Sequence, residues 1–568
     1  MAANPTIPRS SAATLRRRLA VVAFELWPFV VVVFGGLIAI GKIAQSEWEG
    51  TFLYNGDSLV LPLIEDSILR GEPFHWVFSS QNFFFPEGLF FFVSTLFTDS
   101  ARVALYVNAV LNLVALYAVL RVIAHQLAHR SRHRFVEITI ALGATVLFLV
   151  FVLLEPTASV NRSGTATTYL MTTYYYGVII SGLVIVALTL WVTKSFGGAA
   201  WGTNRVRVYA LVVGAITALV VFSDPLYLAQ VLAPLAVALL VLIWARRLSW
   251  RSAWVLVVPS LAGSVVGFAF RLVFHDLFAS NLGSYVQLSQ IPTAIHILYE
   301  SLLEMSGSAQ GSLKLILITG VMLLTWSIMA FAVYSRFNPK AALRISTVEY
   351  FIVTFVSVSS VSLFVGHIVT GAITTRYLTP LYVFPLLTVL FVGVYVLRRL
   401  LVEVESADLR RNLSRFSLGV AAAASVLIVV VGIVNLPPVA RSASGDDYTS
   451  ADCFDSFVGD SDINGVGSFW TVRQLDLYGT AKGDILQADG ELGVYDWLNN
   501  VGAYEDKTFS YVVIDASGQV PRESLAVLGE PAEIIVCSGY EIYDYAGTPG
   551  EDILTDRIAA STDELLDD

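Results

Sequence analysis

Charged side chains are scarce in this chain: they make up 14% of its 568 residues, whereas hydrophobic residues make up 56%. An ordinary soluble domain has about a quarter of its residues charged, so the composition excludes that class. Cysteine is scarcer still, because Cys453 and Cys537 are the only two, and without a nearby histidine pair they make a poor zinc site. The sequence also lacks a P-loop, a dinucleotide-binding fingerprint, a zinc-protease helix and a nucleophile elbow. These absences leave a membrane protein as the class to consider.

Apolar runs of about 20 residues recur in the first 436 residues, long enough to cross the roughly 30 Å hydrocarbon layer of a bilayer, and only the run 208–222 is short. We therefore predict a polytopic α-helical membrane protein with about eleven transmembrane helices. The first run is longer than the core of a signal peptide, so we expect a signal-anchor. The predicted spans are 20–42, 102–123, 136–154, 175–193, 208–222, 226–245, 253–274, 313–334, 348–367, 377–397 and 416–436.

The distribution of Lys and Arg predicts the orientation of these spans. If the N-terminal tail, 1–19, is cytoplasmic, the inside segments carry 22 basic residues, and the outside segments before residue 441 carry seven. Cytoplasmic segments are enriched in Lys and Arg, so this arrangement is favoured. It predicts a multi-pass protein of the cytoplasmic membrane with a transmembrane domain at 20–436, a long first outer loop at 43–101 and an extracytoplasmic C-terminus.

The composition changes near residue 437, where Pro437-Pro438 ends the last span. The first 440 residues have a net charge of +10, whereas residues 441–568 have six basic and 26 acidic residues, a net charge of −20. We predict a small extracytoplasmic α/β domain at 437–568, and its acidity argues against nucleic-acid binding. Strand-like runs lie at Ser468–Val472, Phe509–Ile514 and Ile534–Val536, and a helix-like run lies at Glu491–Val501.

Both cysteines lie in this acidic domain. A disulfide between Cys453 and Cys537 fits an oxidising exterior, and two free buried thiols are the alternative.

A polar interruption follows the first span at Tyr54-Asn55-Gly56-Asp57-Ser58. Ionisable groups beside apolar helices cost free energy to bury, so they usually mark chemistry or transport. A carboxylate at the membrane edge can act as a general base. Asp57 is the first candidate, and its alternative role is the N-cap of an interfacial helix predicted at Ser58–Leu69, with Val60, Leu61, Ile64 and Ile68 on one face.

Four further candidates lie in the same loop: Glu65, Asp66, His75 and Glu87. Each has a structural alternative. Glu65 and Asp66 could instead lie on the solvated face of a helix. His75 could instead be a histidine at the membrane interface with no role in binding. Glu87 follows Pro86 and fits the start of the next helix, where an acid favours the positive end of the dipole.

Later outer segments carry Arg162, Asp224, His367, Arg376 and Tyr377. An arginine can make two hydrogen bonds to the oxygens of a phosphate, which is one possible role of Arg376. The alternative is that Arg376 extends its side chain to the membrane interface without binding a ligand. Asp224 precedes Pro225 and either binds an acceptor or a metal or caps the next helix. The run Tyr174-Tyr175-Tyr176 suggests an aromatic belt, with sugar stacking as the alternative.

The layout resembles that of the GT-C superfamily of integral-membrane glycosyltransferases. Gly56-Asp57-Ser58 stands where that family places its acid, and Arg376-Tyr377-Leu378-x-Pro380 resembles its late outer loop, where a basic residue faces a donor phosphate. The resemblance implies inverting transfer of a sugar from a polyprenyl-phosphate donor to a cell-envelope glycan or glycolipid at the outer face of the membrane. It allows a divalent metal, Mg or Mn, although the two-acid motifs of the family are absent around Asp57.

On this hypothesis Asp57 is the general base. The candidates for the donor phosphate are Arg376, Arg162 and His367, and the candidates for acceptor binding or support are Glu65, Asp66, His75, Glu87, Asp224 and Tyr377. Two rival functions stay open. A transporter or flippase would be expected to show repeated halves or broken helices, and a non-catalytic envelope scaffold would tolerate loss of Asp57.

Overall fold

The computed structural model describes most of the chain. The described ranges are 11–128, 134–157, 164–194, 204–279, 287–338, 345–372, 374–401, 407–446 and 448–567. Arg162, a predicted phosphate-binding residue, lies outside them, as do residues 1–10 of the predicted tail.

A bundle of long apolar helices forms the N-terminal part of the molecule, as the sequence predicts. Ten helical segments in the described ranges are long and apolar enough to cross a membrane, and the predicted span 226–245 corresponds to a shorter apolar segment, Leu228–Trp244. The long helices are Ser11–Ile43, Ala101–Leu127, Arg134–Leu153, Tyr176–Thr193, Asn204–Ser223, Ala233–Trp244, Trp250–Val273, Ala309–Phe337, Thr347–Val369, Leu386–Leu401 and Ala407–Val434.

The shorter segment Leu228–Trp244 also connects the two ends of the bundle. Near its start, the Gln230 amide donates a hydrogen bond to the Tyr377 carbonyl at 3.2 Å. Just after its end, Arg247 donates to the Ile345 carbonyl at 3.3 Å. Ile345 and Tyr377 flank the helix Thr347–Val369, which is about 34 Å long at 1.5 Å per residue. The segment therefore runs alongside the helix Thr347–Val369 from one of its ends to the other, at the place of the predicted span 226–245.

The first outer loop folds into two short helices, Val60–Arg70 and Leu89–Thr95. The predicted interfacial helix is present, but Val60, Leu61 and Ile64 are buried within the protein. Its N-cap is Leu59, with no side-chain hydrogen bond, so the prediction that Asp57 merely caps this helix is wrong.

Short elements complete the bundle. They are π-turns at Gly50–Tyr54, Phe84–Gly88 and Leu228–Leu232, 3₁₀ turns at Thr167–Leu170, His275–Leu277, Leu288–Gln290 and Thr375–Leu378, and helices at Ile291–Ser306, Pro380–Val383 and Leu436–Ser444. The helix Leu436–Ser444 begins at the predicted domain boundary, with Pro437 and Pro438 in its first turn. Proline is tolerated there because the backbone N–H groups of a first turn have no partner within the helix.

The C-terminal part is the small α/β domain that the sequence predicts. Its five-stranded sheet has the spatial order Ile485–Gln487, Asn464–Gly467, Phe509–Asp515, Tyr540–Asp544 and Glu533–Val536. The first three strands are parallel, and the last two pair antiparallel. The remaining elements are helices at Asp452–Val458, Phe469–Tyr478 and Pro549–Asp567 and 3₁₀ turns at Val501–Tyr504 and Arg522–Val527.

Two local predictions in this domain are wrong. The run Ser468–Val472 opens a helix instead of a strand, because the Ser468 hydroxyl caps the backbone N–H of Trp470. The run Glu491–Val501 is not a helix, since Leu492 and Leu498 have φ angles of 64° and 54°, in the left-handed region.

A disulfide links two parts of the α/β domain, and a strand pairing links the domain to the first outer loop. Cys453 and Cys537 form the expected disulfide, with Cα atoms 5.9 Å apart. The strand Trp76–Val77 of the loop pairs antiparallel with Asn499–Asn500 of the domain. The loop and the domain therefore share one end of the bundle. Which side of the membrane that end faces stays a prediction from the charge distribution.

Candidate active site

An ion pair joins the first outer loop to a turn far along the chain. Arg376 Nη1 lies 3.0 Å from Asp57 Oδ2, although the two residues are 319 positions apart. Arg376 belongs to the 3₁₀ turn Thr375–Leu378, next to the helix Pro380–Val383. The side chains are 29% and 20% exposed, so the pair is half-buried and open to a ligand.

Backbone hydrogen bonds hold Asp57 in place. The Thr173 hydroxyl donates to the Asp57 carbonyl at 2.6 Å, and the Asp57 N–H donates to Asn55 Oδ1 at 3.0 Å. Ser58 donates its hydroxyl to the Thr51 carbonyl at 2.7 Å. These bonds fix the backbone around Asp57. The Asp57 carboxylate does not cap the helix Val60–Arg70 and instead contacts Arg376.

Three tyrosines surround the guanidinium of Arg376. The ring centroids of Tyr174, Tyr175 and Tyr377 lie 5.4, 5.7 and 5.9 Å from its Cζ atom. At such distances aromatic faces attract a cation. Tyr174, Tyr175 and Tyr176 are all buried, so the aromatic-belt prediction for this run is wrong. The tyrosines instead hold Arg376 where a charged ligand can reach it.

The α/β domain forms a wall next to Asp57. Gly56 packs on the Phe469 ring so closely that a Cβ atom there would lie 2.5 Å from a ring carbon. Arg473 is buried one turn further along the same helix, with its guanidinium 4.8 Å from the Phe469 ring centroid. Burial lowers the pKa of Arg473 to about 10, and the charges of Asp57 and Asp476 oppose that shift. A second cation therefore lies near the Asp57 carboxylate.

A fully buried ion pair between Lys314 and Glu155 supports the turn that carries Arg376. The Glu155 carboxylate also accepts hydrogen bonds from the backbone N–H groups of residues 165, 166 and 167, at 2.9, 2.6 and 2.9 Å. Thr379, three residues after Arg376, donates its hydroxyl to the Thr165 carbonyl at 3.0 Å. The ion pair thus orders the segment on which the arginine turn rests.

Two buried acids, Glu87 and Asp224, lie next to the tyrosine run. Glu87 accepts a hydrogen bond from the Gly177 N–H at 3.0 Å, where a Cβ atom would collide with the carboxylate. Burial raises the pKa of Glu87 to about 8, and the charge of Asp224 adds to the shift. Burial likewise raises the pKa of Asp224 to about 7. One oxygen of each carboxyl has no hydrogen-bond partner among the described residues.

Asp224 also shows the structural role that the sequence left open. Its Oδ1 accepts a hydrogen bond from the Leu226 N–H at 2.9 Å, which caps the turn at Pro225. Its other oxygen is free to serve a ligand.

The other predicted residues lie apart from the ion pair. Asp66 forms an ion pair with Arg70 at 2.5 Å, and Glu65 is half-buried on the same helix. His75 is exposed, with its Nδ1 3.3 Å from Glu505 of the α/β domain. These contacts place Asp66 and His75 at the joint between loop and domain, and no described contact links any of the three residues to Arg376.

His367 is buried near the end of the helix Thr347–Val369. Neither ring nitrogen has a hydrogen-bond partner within the described ranges, and no described contact joins the ring to Arg376. A phosphate-binding role for His367 therefore stays a prediction.

The metal ion suggested by the sequence would need a group of side chains that can hold it. Among the residues that the structure describes, no group of three or more His, Cys, Asp and Glu side chains is arranged to hold a metal ion. Mg or Mn stays a prediction from the sequence.

Sequence reasoning missed Glu155, Lys314 and Arg473 as parts of the site. Lys314 had a usable signal, because it lies inside the predicted span 313–334 and an ionisable residue in an apolar helix is a functional candidate. Arg473 had none, because its position beside Asp57 depends on how the α/β domain docks.

Neither a protein-family model nor a curated protein matches the sequence. Several solved structures match the chain, and it is similar to the following two. ArnT from Cupriavidus metallidurans bound to undecaprenyl phosphate has 12% identity and a TM-score of 0.47, over 93% of this chain and 99% of that chain. The same protein in the apo state has 12% identity and a TM-score of 0.40, over 94% and 98%.

Replacing Lys314 by Met should destabilise the protein strongly. The change leaves the Glu155 carboxylate buried without its cation, which typically costs about 3–5 kcal/mol. Thermal unfolding of the purified protein in detergent measures the loss. The double variant Lys314→Met/Glu155→Gln should recover part of it, and a single variant as stable as the wild type would contradict the structural role of the pair.

Replacing Glu87 by Gln should stabilise the protein more at pH 8 than at pH 5. Glu87 has a pKa of about 8 in the folded protein against 4.5 ordinarily, so the folded chain binds more protons in this window and wild-type stability falls as pH rises. Gln has no proton to lose. The difference between variant and wild type should grow by at most about 1.4 kcal/mol per pH unit. Unfolding temperatures across this range measure it, and a constant difference would mean that Glu87 is ionised.

Proposed function

We propose that this protein is a membrane glycosyltransferase that transfers a sugar from a polyprenyl-phosphate donor to a cell-envelope glycan or glycolipid. We place the reaction at the outer face of the cytoplasmic membrane. The observation that carries the proposal is the half-open Asp57–Arg376 pair at one end of an apolar bundle. A base and a phosphate-binding cation are the two groups that such a transfer requires, and here they are 3.0 Å apart.

The position of the pair suits a lipid-linked donor. A polyprenyl chain is apolar, and its phosphate lies at the edge of the hydrocarbon layer. Arg376 lies at the end of an apolar segment, Thr375–Leu397, that is long enough to span the membrane. A phosphate at that depth would meet the guanidinium while the prenyl chain stayed in lipid.

In the proposed reaction Asp57 acts as the general base. An acceptor hydroxyl attacks the anomeric carbon of the donor sugar, and Asp57 takes its proton. The new carbon–oxygen bond forms as the bond from the anomeric carbon to the phosphate oxygen breaks, with inversion. The polyprenyl phosphate leaves with the bonding electrons, and Arg376 stabilises its charge.

The resting ion pair fits this division of roles. Without donor, Asp57 and Arg376 neutralise each other. An incoming phosphate offers Arg376 two oxygens in place of one carboxylate oxygen, which would release Asp57 toward the acceptor. The cage of Tyr174, Tyr175 and Tyr377 would keep the guanidinium in place during the exchange.

The Asp57→Asn variant should lose about 10²–10⁴-fold in transfer rate, because Asn keeps the shape and loses the base. Purified protein assayed with a panel of polyprenyl-phosphate sugars and envelope acceptors measures the loss. Asp99→Asn, which changes an exposed acid of the same loop, is the matched control and should retain full rate.

Full activity of a folded Asp57→Asn protein would remove the proposed base. If the wild type transfers no sugar but moves a labelled lipid or solute across vesicles, the protein is a transporter and the proposal is wrong.

The Arg376→Lys variant should raise the KM for the donor by at least about tenfold, with a smaller change in the KM for the acceptor. Lys keeps the charge but cannot make two parallel hydrogen bonds to phosphate. Steady-state kinetics with each substrate varied in turn provides the measurement. A larger effect on the acceptor would assign Arg376 to acceptor binding.

A further inference from the structure

A polar cavity lies at the joint between the first outer loop and the α/β domain. The helix Val60–Arg70 and Trp76 line it from the loop, and the helix Phe469–Tyr478 and strand Ile485–Gln487 line it from the domain. Its free volume is about 50 Å³, which holds a few waters or the edge of one sugar ring. A second cavity of about 280 Å³ also has Arg70 and Asp476 among its lining residues.

Two buried N–H donors line the first cavity without partners. Trp76 is 3% exposed and Arg473 is 4% exposed. Trp76 Nε1 and Arg473 Nη1 have no hydrogen-bond partner within the described part of the chain. Buried donors are normally satisfied, so an unpaired pair in one cavity indicates that a ligand oxygen completes them.

Three acids of the cavity share one cation, Arg70. Arg70 lies 2.5 Å from Asp66, 3.3 Å from Asp476 and 3.8 Å from Glu72. An anionic ligand would still face these three carboxylates at close range, which disfavours it.

The amide side chains of the cavity are also used within the protein. Asn500 donates to Ser67 and Glu72 at 3.0 and 3.2 Å, and Gln487 donates to two backbone carbonyls at 2.7 Å. The side-chain N–H groups of Trp76 and Arg473 are therefore the donors available to a ligand, and a ligand with neutral oxygen acceptors suits them best.

We propose that this cavity is a subsite for a neutral, hydroxyl-rich saccharide, held by hydrogen bonds from Trp76 Nε1 and Arg473 Nη1. Arg473 connects the cavity to the candidate active site, because Phe469, on which it stacks, packs against Gly56 beside Asp57. The saccharide is the acceptor glycan, and that identification rests on the proposed function. The loop and the domain would then bind the acceptor together.

The direct test is binding to the full-length protein in lipid nanodiscs. A panel of neutral oligosaccharides (maltotriose, mannotriose and galactotriose, with chitotriose as an N-acetylated member) is titrated by calorimetry. Trp76→Phe keeps the aromatic ring and removes the N–H, and Arg473→Met removes the second donor. Trp470→Phe is the matched control, because Trp470 is on the helix of Arg473 but is 43% exposed.

The wild type and Trp470→Phe should bind at least one of these saccharides, and Trp76→Phe should bind it at least about tenfold more weakly, with a similar loss in a folded Arg473→Met protein. Absence of saccharide binding by the wild type, or equal binding by wild type and Trp76→Phe, would overturn the subsite.

Transfer kinetics separates this subsite from the proposed function. If transfer occurs and Trp76→Phe leaves the acceptor KM unchanged, the subsite is wrong and the proposed function stands. If saccharide binding depends on Trp76 but no polyprenyl-phosphate sugar supports transfer, the proposed function is wrong and the binding site stands.

Discussion

The contact between Asp57 and Arg376 is the interaction on which the rest of the candidate site depends. It brings a carboxylate and a guanidinium that are 319 positions apart in the chain to 3.0 Å at one end of an apolar bundle. Half-burial matters here, because a fully exposed pair would be screened by water and a fully buried pair could not meet a ligand. The surrounding structure keeps the two groups close and leaves them accessible.

The support for this pair comes from polar groups placed deep in apolar surroundings. The Lys314–Glu155 pair is completely buried, and the Glu155 carboxylate orders three successive backbone N–H groups. A buried ion pair contributes little net stability, but it permits few alternative arrangements once formed. The Lys314–Glu155 pair thus orders the segment that contacts the turn of Arg376. In the proposed reaction, stabilisation of the leaving phosphate requires such precise placement of the Arg376 charge.

The α/β domain is part of the site as well as an appendage of the bundle. It pairs a strand with the first outer loop, places Phe469 on Gly56 and buries Arg473 near Asp57. A domain that docks on the loop of the proposed base can combine acceptor binding with transfer. That arrangement gives a physical reason for the disulfide-bonded domain to be attached to the apolar bundle.

The sequence by itself determined the membrane class and the acidic α/β domain, and it predicted Asp57 and Arg376 as candidate site residues. Each follows from local composition, since apolar length, charge balance and isolated ionisable groups can be read along the chain. The tertiary structure alone decided which polar residues meet. It paired Asp57 with Arg376, moved Asp66 and His75 to the domain joint, buried the tyrosine run and brought in Lys314, Glu155 and Arg473. The physical reason is that contacts between distant segments depend on helix packing and domain docking, which no local pattern encodes.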